Sequence, residues 1–326
     1  MIKHRRLPIA IGAGALVAAG LAHAQAPSRV WRIGFLALTP GPDAAVEAFR
    51  EQLKALGYLE GRNLSFEFRW ADGNQERLAE FAADLVRLKV DAIVTRTTDV
   101  AAAAKRATSV IPIVMATSAD PVGAGIVASL ARPDGNVTGI TQNSTEAAGK
   151  LLQLLRDAAP KTRRLGIIVF KGGLSGPLFV EQIQRAAQKM GITPVVQEVN
   201  EPEALAAAFG TMQRQRAQAL IMQATPFTGT HRARIRELAA QHRLPSILEN
   251  RASVEAGGLI SYGASIPEMH RHAALYVDKI LKGARPADLP AEQPTKYELV
   301  INLKNAKTLG IRIPQSLLVR ADEVIQ

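Results

Sequence analysis

Asp120–Ile140 reads D-P-V-G-A-G-I-V-A-S-L-A-R-P-D-G-N-V-T-G-I, and its role decides how the chain is divided. It follows an apolar run and is read as opening a short helix. It then breaks at Pro133, Asp134 and Gly135 and resumes as an apolar step from Val137 to Ile140. On this reading it closes one lobe and hands the chain to a second. Gly123–Ala128 also fits G-x-G-x-x-A, after a strand and at a helix start, the context that a dinucleotide fingerprint requires. That fingerprint belongs on the first strand of its fold, with an acid ending the next strand about 20 residues later. Here the strand is the fourth and the next acid, Asp134, falls in a turn. Asp120 as a helix cap and Pro121 at the first helical position account for the residues without a cofactor.

Outward from this stretch, strands and helices alternate. Upstream, Trp31–Leu38 is an apolar strand, Asp43 caps a helix from Ala44 to Leu56, and Leu64–Trp70 alternates as a half-exposed strand. Gln75–Lys89 has helical spacing, Val90–Val94 is a buried strand, Thr95–Thr98 a polar loop, Asp99–Ala107 a helix and Ile111–Ala116 a strand. Downstream, a helix from about Thr145 to Asp157 restarts the rhythm. Strands follow at Leu165–Phe170, Thr193–Val199, Ala219–Gln223 and Ser246–Glu249, with helices near Pro177–Lys189, Pro202–Arg216 and Thr228–His242. A strand-like step at Gly258–Tyr262, a helix at Pro267–Leu281, a Pro-rich excursion and a strand at Glu298–Leu303 complete the pattern before a tail from Pro314. The expected fold is α/β, with two Rossmann-like lobes of parallel strands flanked by helices and three hinge crossings. The expected division is 28–141 plus 264–298 for lobe 1 and 142–263 plus 299–326 for lobe 2.

Composition narrows the function. The basic start M-I-K-H-R-R, the uncharged run Leu7–Leu21 and the small-x-small step Ala22-His23-Ala24 form a cleavable signal peptide over residues 1–24. That places the mature protein in the periplasm, not embedded in the membrane after cleavage. The chain has no cysteine, so neither a disulfide nor a cysteine-linked lipid anchor is expected. The net charge of +11 falls to +8 without Lys3, Arg5 and Arg6. The basic residues are scattered and aromatics are only 5%, which excludes nucleic acid as a partner because a stacking platform is missing.

No catalytic constellation emerges. Gly173-Leu174-Ser175-Gly176 lacks the spacing of a nucleophile elbow, His270 and His272 point to different faces of one helix, and there is no zinc signature and no P-loop. Arg232, Arg234 and Arg236 read as a solvated face. Polar residues do gather where strands end, namely Thr39, Thr97, Thr98, Thr117 and Ser118 in the first lobe and Lys171, Thr225, Glu249 and Asn250 in the second. Open α/β sheets bind ligands beyond these carboxyl ends. Asn143, just past the crossing, and Tyr262 complete the candidate ligand-binding set. Any one of these threonines read alone is a helix cap; only their joint position in both lobes points to a site.

The stretch Asp120–Gly139, with A-A-K-R-A-T at Ala103, V-E-A-G-G-L-I-S-Y-G at Val254 and A-D-L-P-A-E-Q-P-T-K-Y-E-L-V-I-N-L-K at Ala287, resembles the ABC transporter substrate-binding proteins related to the tryptophan-binding TrpX type. The resemblance implies a type I periplasmic binding protein fold, without catalysis or cofactor, that closes on a small ligand and presents it to an ABC permease in the inner membrane. A sensor subunit presenting its closed form to a receptor kinase is the alternative. The chain departs from the family's pattern at two cleft loops. It has Lys171-Gly172-Gly173 in place of an Asn-Pro turn and Ala224-Thr225 where an acid is common. These departures bring in an aromatic or organic carboxylate beside an aromatic amino acid as ligand, with Glu249 available for an ammonium group.

Overall fold

A computed structural model describes residues 29–142 and 144–326. The expected signal peptide and Asn143 therefore lie outside the described residues. The chain runs β1 (Trp31–Ala37), α1 (Ala44–Ala55), β2 (Leu64–Trp70), α2 (Arg77–Arg87), β3 (Ala92–Arg96), α3 (Thr98–Ala107), β4 (Ile113–Thr117) and β5 (Val137–Gly139). It continues through α4 (Ser144–Ala158), β6 (Arg164–Phe170), α5 (Gly176–Lys189), β7 (Thr193–Val199), α6 (Ala204–Arg214), β8 (Ala219–Met222), α7 (Pro226–Thr230) and α8 (Arg232–Gln241). The remainder is β9 (Ser246–Leu248), α9 (Arg251–Glu255), β10 (Ile260–Ala264), α10 (Ile266–Leu281), a short 3-10 turn (Pro286–Asp288), β11 (Tyr297–Asn302), α11 (Leu303–Leu309), α12 (Gln315–Leu318) and β12 (Glu323–Ile325). None of the described helices is long and apolar enough to cross a membrane.

Two sheets result. The first is parallel throughout, in the order β2-β1-β3-β4-β5; the second is β12-β11-β10-β9-β8-β6-β7, with β10 and β11 antiparallel and the rest parallel. In β1, Ile33, Phe35 and Ala37 face a core shared with α1 and α10, while Leu36 faces a second core with α2 and α3. Burial on both faces is what a central parallel strand needs, and it explains the unbroken apolar run. Phe66, Phe68 and Trp70 on edge strand β2 form a ladder with centroid spacings of 5.3 and 5.2 Å, stacked beside the same core. Helix α10 follows β10 of the second sheet, yet Ala273, Tyr276 and Val277 pack into the first sheet's core.

The chain passes from one sheet to the other between β5 and α4, between β10 and α10, and between the 3-10 turn and β11. The first and third passages lie together. Glu292 N–H donates to Gly139 O, Thr141 N–H donates to Glu292 O, and Thr138 Oγ1 donates to Leu289 O at 2.7 Å. Gly139 holds a φ of +130°, and a Cβ there would sit 2.2 Å from Met115 O. Only glycine allows the passage to lie this close to β4.

Three sequence expectations need correction. Pro121–Gly125 forms turns and no helix: Asp120 Oδ1 accepts the Gly123 N–H at 2.9 Å, and Gly125 adopts a φ of +67°. The local Asp turn and two glycines win over helix propagation. The single helix expected over Thr228–His242 is two, α7 and α8, because Thr225 caps an earlier start and the first ends at His231. The tail from Pro314 contains α12 and β12, the latter pairing parallel with β11. Gly139→Ala is expected to lower stability by at least about 2 kcal/mol through backbone strain and clash, read from the urea midpoint; an unchanged midpoint would contradict the close passage.

Candidate functional site

The polar residues singled out from the sequence lie at or just beyond strand ends of the two sheets. After β1, Asp43 caps α1, accepting the N–H groups of Ala45 and Val46 at 3.0 and 3.2 Å, while its second oxygen takes Arg96 Nη1 at 2.6 Å. Burial works against ionisation of Asp43, but the charge and hydrogen bond of Arg96 and the Val46 N–H outweigh it and hold the carboxyl below its ordinary range. Thr39 is half-buried, its hydroxyl donating at 3.3 Å to Gly41 O.

Arg96 ends β3, and Thr97 behind it takes a φ of 86°, a position that costs a β-branched residue conformational energy. Its N–H donates to Thr117 O at 2.9 Å, and its buried hydroxyl oxygen has no partner among the described residues. The hydroxyl oxygen of Thr95, on β3, is likewise buried with no partner among the described residues. Thr98 and Ser118 are nearly fully buried and bond each other at 3.1 Å; Thr98 also accepts the Ala119 N–H, and Ser118 O accepts the Thr141 hydroxyl and the Gln142 N–H. These hydroxyls tie the two loops to the first passage. Thr117, at the end of β4, is also buried.

In the second sheet, Lys171 is exposed beyond β6, where its N–H donates to Val199 O. Gln223 follows β8 and donates to Ser175 Oγ at 2.9 Å. Next to it, the Ala224 N–H donates to Glu249 Oε2 at 2.8 Å. Burial, offset only in part by that N–H, pushes the Glu249 carboxyl up to about 7. Thr225 and Asn250 each cap a helix, accepting the N–H groups of Thr228 and Ser253. Phe170 and Phe227 pack at 5.4 Å between centroids, and His231 lies 4.7 Å from Phe227. Tyr262 stacks on Tyr297 at 5.4 Å, against the second sheet's core. A groove of about 680 Å³ on this sheet lies elsewhere, between α8, α9 and α11, and shares no residue with the strand-end set.

The two halves touch. The Leu174 N–H, in the loop after β6, donates to Asp99 Oδ1, in the first turn of α3, at 2.9 Å. Burial raises the Asp99 carboxyl above its ordinary value although Leu174 opposes the shift. Asp99, Arg96 and Gln223 were not singled out from the sequence. Arg96 stood within a loop read only as polar, and no local pattern pairs residues 75 positions apart.

His270 is a core residue: it is fully buried against Phe35, with Nδ1 2.9 Å from Ile266 O and Nε2 without a partner among the described residues. Burial first, then the nearby Arg96 charge, push it down to about 4, against smaller opposing effects of Ile266 O and Asp43. Between pH 6.5 and about 4 the unfolded chain therefore binds a proton that the folded chain refuses, and stability falls with falling pH. Glu249 acts with the opposite sign between about pH 7 and 4.5, where the folded chain alone holds the proton. His270→Gln should thus shift the stability difference in favour of pH 5 over pH 7 by about 2 kcal/mol relative to the unaltered protein. Urea titrations at the two pH values check this, and an unchanged difference would contradict it.

Residues 35–325 match the family model for ABC transporter substrate binding proteins. The tyrosine-binding protein of Clostridioides difficile is 26% identical over 279 residues, which are 84% of this chain and 78% of the relative. A Streptococcus pneumoniae ABC domain solved in complex with L-Trp is 27% identical, with a TM-score of 0.86 over 91% of this chain and 100% of that one. A conserved domain protein of Vibrio cholerae is 28% identical, with a TM-score of 0.87 over the same shares. The family model spans most of the chain, both sheets included, and this chain belongs to the ABC transporter substrate binding proteins.

Proposed function

We propose that the chain is the periplasmic solute-binding component of an ABC importer, exported by the signal segment 1–24. It captures an aromatic amino acid, or an aromatic or organic carboxylate, between lobe 1 (28–141 plus 264–298) and lobe 2 (142–263 plus 299–326). It then delivers the closed form to a membrane permease. The single observation that carries this reading is the bond from Leu174 N–H to Asp99 Oδ1, which joins the strand-end loops of the two sheets. A ligand favours closure only through contacts that it makes better in the closed form, and periplasmic binding proteins are a known example of such hinge closure. The bound L-Trp and the tyrosine named for two relatives support the aromatic choice.

Thr97, Thr98, Thr117, Ser118 and Thr39 from lobe 1, and Lys171, Thr225, Glu249, Asn250 and Tyr262 from lobe 2, with Asn143 at the crossing, form the proposed ligand-binding set. Thr98, Ser118, Thr225 and Asn250 serve chiefly to hold the loops, since their side chains already bond within the protein. Thr97 and Glu249 have unspent capacity. A thermal-shift screen of the mature protein against aromatic amino acids and aromatic carboxylates tests the reading. A ligand at 100 times its Kd adds about 2.7 kcal/mol of stability, and no shift with any of them would contradict the proposal.

The interlobe bond makes its own prediction. Asp99→Ala removes the acceptor and should weaken ligand binding by about 10-fold, the worth of one hydrogen bond to a charged group. Asp99→Asn keeps an acceptor and should lose less. Calorimetric titration of the three proteins checks this order, and equal affinities would remove Asp99 from closure.

A further inference from the structure

The second sheet is covered unevenly. Parallel strands need helices on both faces, but the connection from β9 to β10 supplies only α9, five residues long, before Gly257 and Gly258. Beside it, between α8 and α11, the groove of about 680 Å³ stays open. That volume is in the range of small-molecule sites. Met222 on β8, Leu248 on β9, and Ile235 and Leu244 supply the apolar part of its lining, each more than nine-tenths buried. Ser246 on β9 also lines it, 6% exposed, and its hydroxyl has no hydrogen bond among the described residues.

The charges around this lining are one-sided. Arg232 and Arg236 on α8 and Lys304 on α11 are exposed at the rim. None of the three has an ion pair among the described residues. Glu237 and Glu255, the two acidic side chains of the lining, are both engaged by arginines outside it, Arg234 at 2.8 Å and Arg251 at 2.7 Å. Arg236 is also held in place. Its stem runs over Gly257, where φ is +112° and a Cβ would lie 2.6 Å from Arg236 Cδ. Exposed arginines along a helix are ordinarily a solvated face, but here two of them border an apolar slot.

We propose that this groove is a second small-molecule site, separate from the strand-end set, for an organic anion with an apolar body. The body lies against Leu248 and Met222, and the anionic head meets the unpaired cations Arg236 and Lys304. Ser246 offers its hydroxyl to a polar atom of the same ligand. A protein face fits less well, because the apolar residues are recessed. The large apolar side chains that do stand exposed, Val30, Val110, Val122, Leu174 and Val319, are all outside the lining, so the rim has no apolar patch for a flat partner. The proposal does not depend on what the strand ends bind.

Calorimetry of the mature protein with octanoate, 1-octanol and octylamine separates the head charge from the apolar body. Octanoate is expected to bind in a one-to-one ratio, about 10-fold tighter than 1-octanol, with octylamine weakest and with octanoate affinity falling in high salt. Ala240→Trp sets an indole into the groove from an exposed position of α8 and should abolish octanoate binding. Arg236→Gln combined with Lys304→Gln should weaken octanoate about 10-fold and leave 1-octanol unchanged. Circular-dichroism melts establish that the variants fold, and if Ala240→Trp does not, the double variant decides alone. Octanoate binding that the folded variants leave unchanged lies elsewhere, the strand ends included, and overturns the proposal. Octylamine bound as tightly as octanoate, or binding of none of the three, overturns it too. So does a dimer in sedimentation velocity that Ala240→Trp dissociates, since a second copy then fills the groove.

Discussion

The passage of Val137–Ile140 against β4 is the constraint on which the rest of the molecule depends. Gly139 lies so close to Met115 that no side chain fits, and Ile140 N–H donates to Met115 O at 2.7 Å. Residues 289–292 then pack along the same passage through Thr138, Gly139 and Thr141. Two of the three connections between the sheets are thereby fixed to the edge of the first sheet. With those connections held, loops of the two halves meet where the Leu174 N–H donates to Asp99 Oδ1.

The strand-end groups divide into those that hold and those that are held in reserve. Thr98, Ser118, Thr141, Thr225 and Asn250 satisfy one another or cap helices, so the loops keep their shape without a ligand. Thr97 and Glu249 are the exceptions: among the described residues the strained Thr97 has no partner for its hydroxyl oxygen, and the half-buried Glu249 has no ion pair. Neither feature stabilises the fold. Both are local costs that the rest of the fold offsets. The depressed basicity of His270 and the raised carboxyl of Glu249 push stability in opposite directions with pH.

Much of the architecture was legible because parallel sheets leave a plain signature: unbroken apolar runs such as Ile33–Leu38 separated by amphipathic helices. The Asp120–Ile140 stretch was rightly placed at a change of sheet, but its helix was not there. Ile126 and Val127 do bury against the core with α2 and α3, but the Asp120 turn and the positive φ of Gly125 place them there without a helix. The tail was missed because β12 is three residues long and exists only by pairing with β11. Among the candidate residues, the strand-end threonines and Glu249 could be named from position alone. Arg96, Asp99 and His270 could not, since their significance comes from partners brought by the fold from 53, 75 and more than 200 residues away. Sequence spacing carries no record of such meetings.

Under the proposed function one ligand is gripped by both lobes at once. Small-angle X-ray scattering of the mature protein, with and without a saturating ligand from the thermal screen, tests it most directly. The account predicts a smaller radius of gyration in the liganded protein and a scattering curve that fits the lobes joined at Asp99 and Leu174. A saturated protein whose radius of gyration and interlobe distances equal those of the free protein would contradict it.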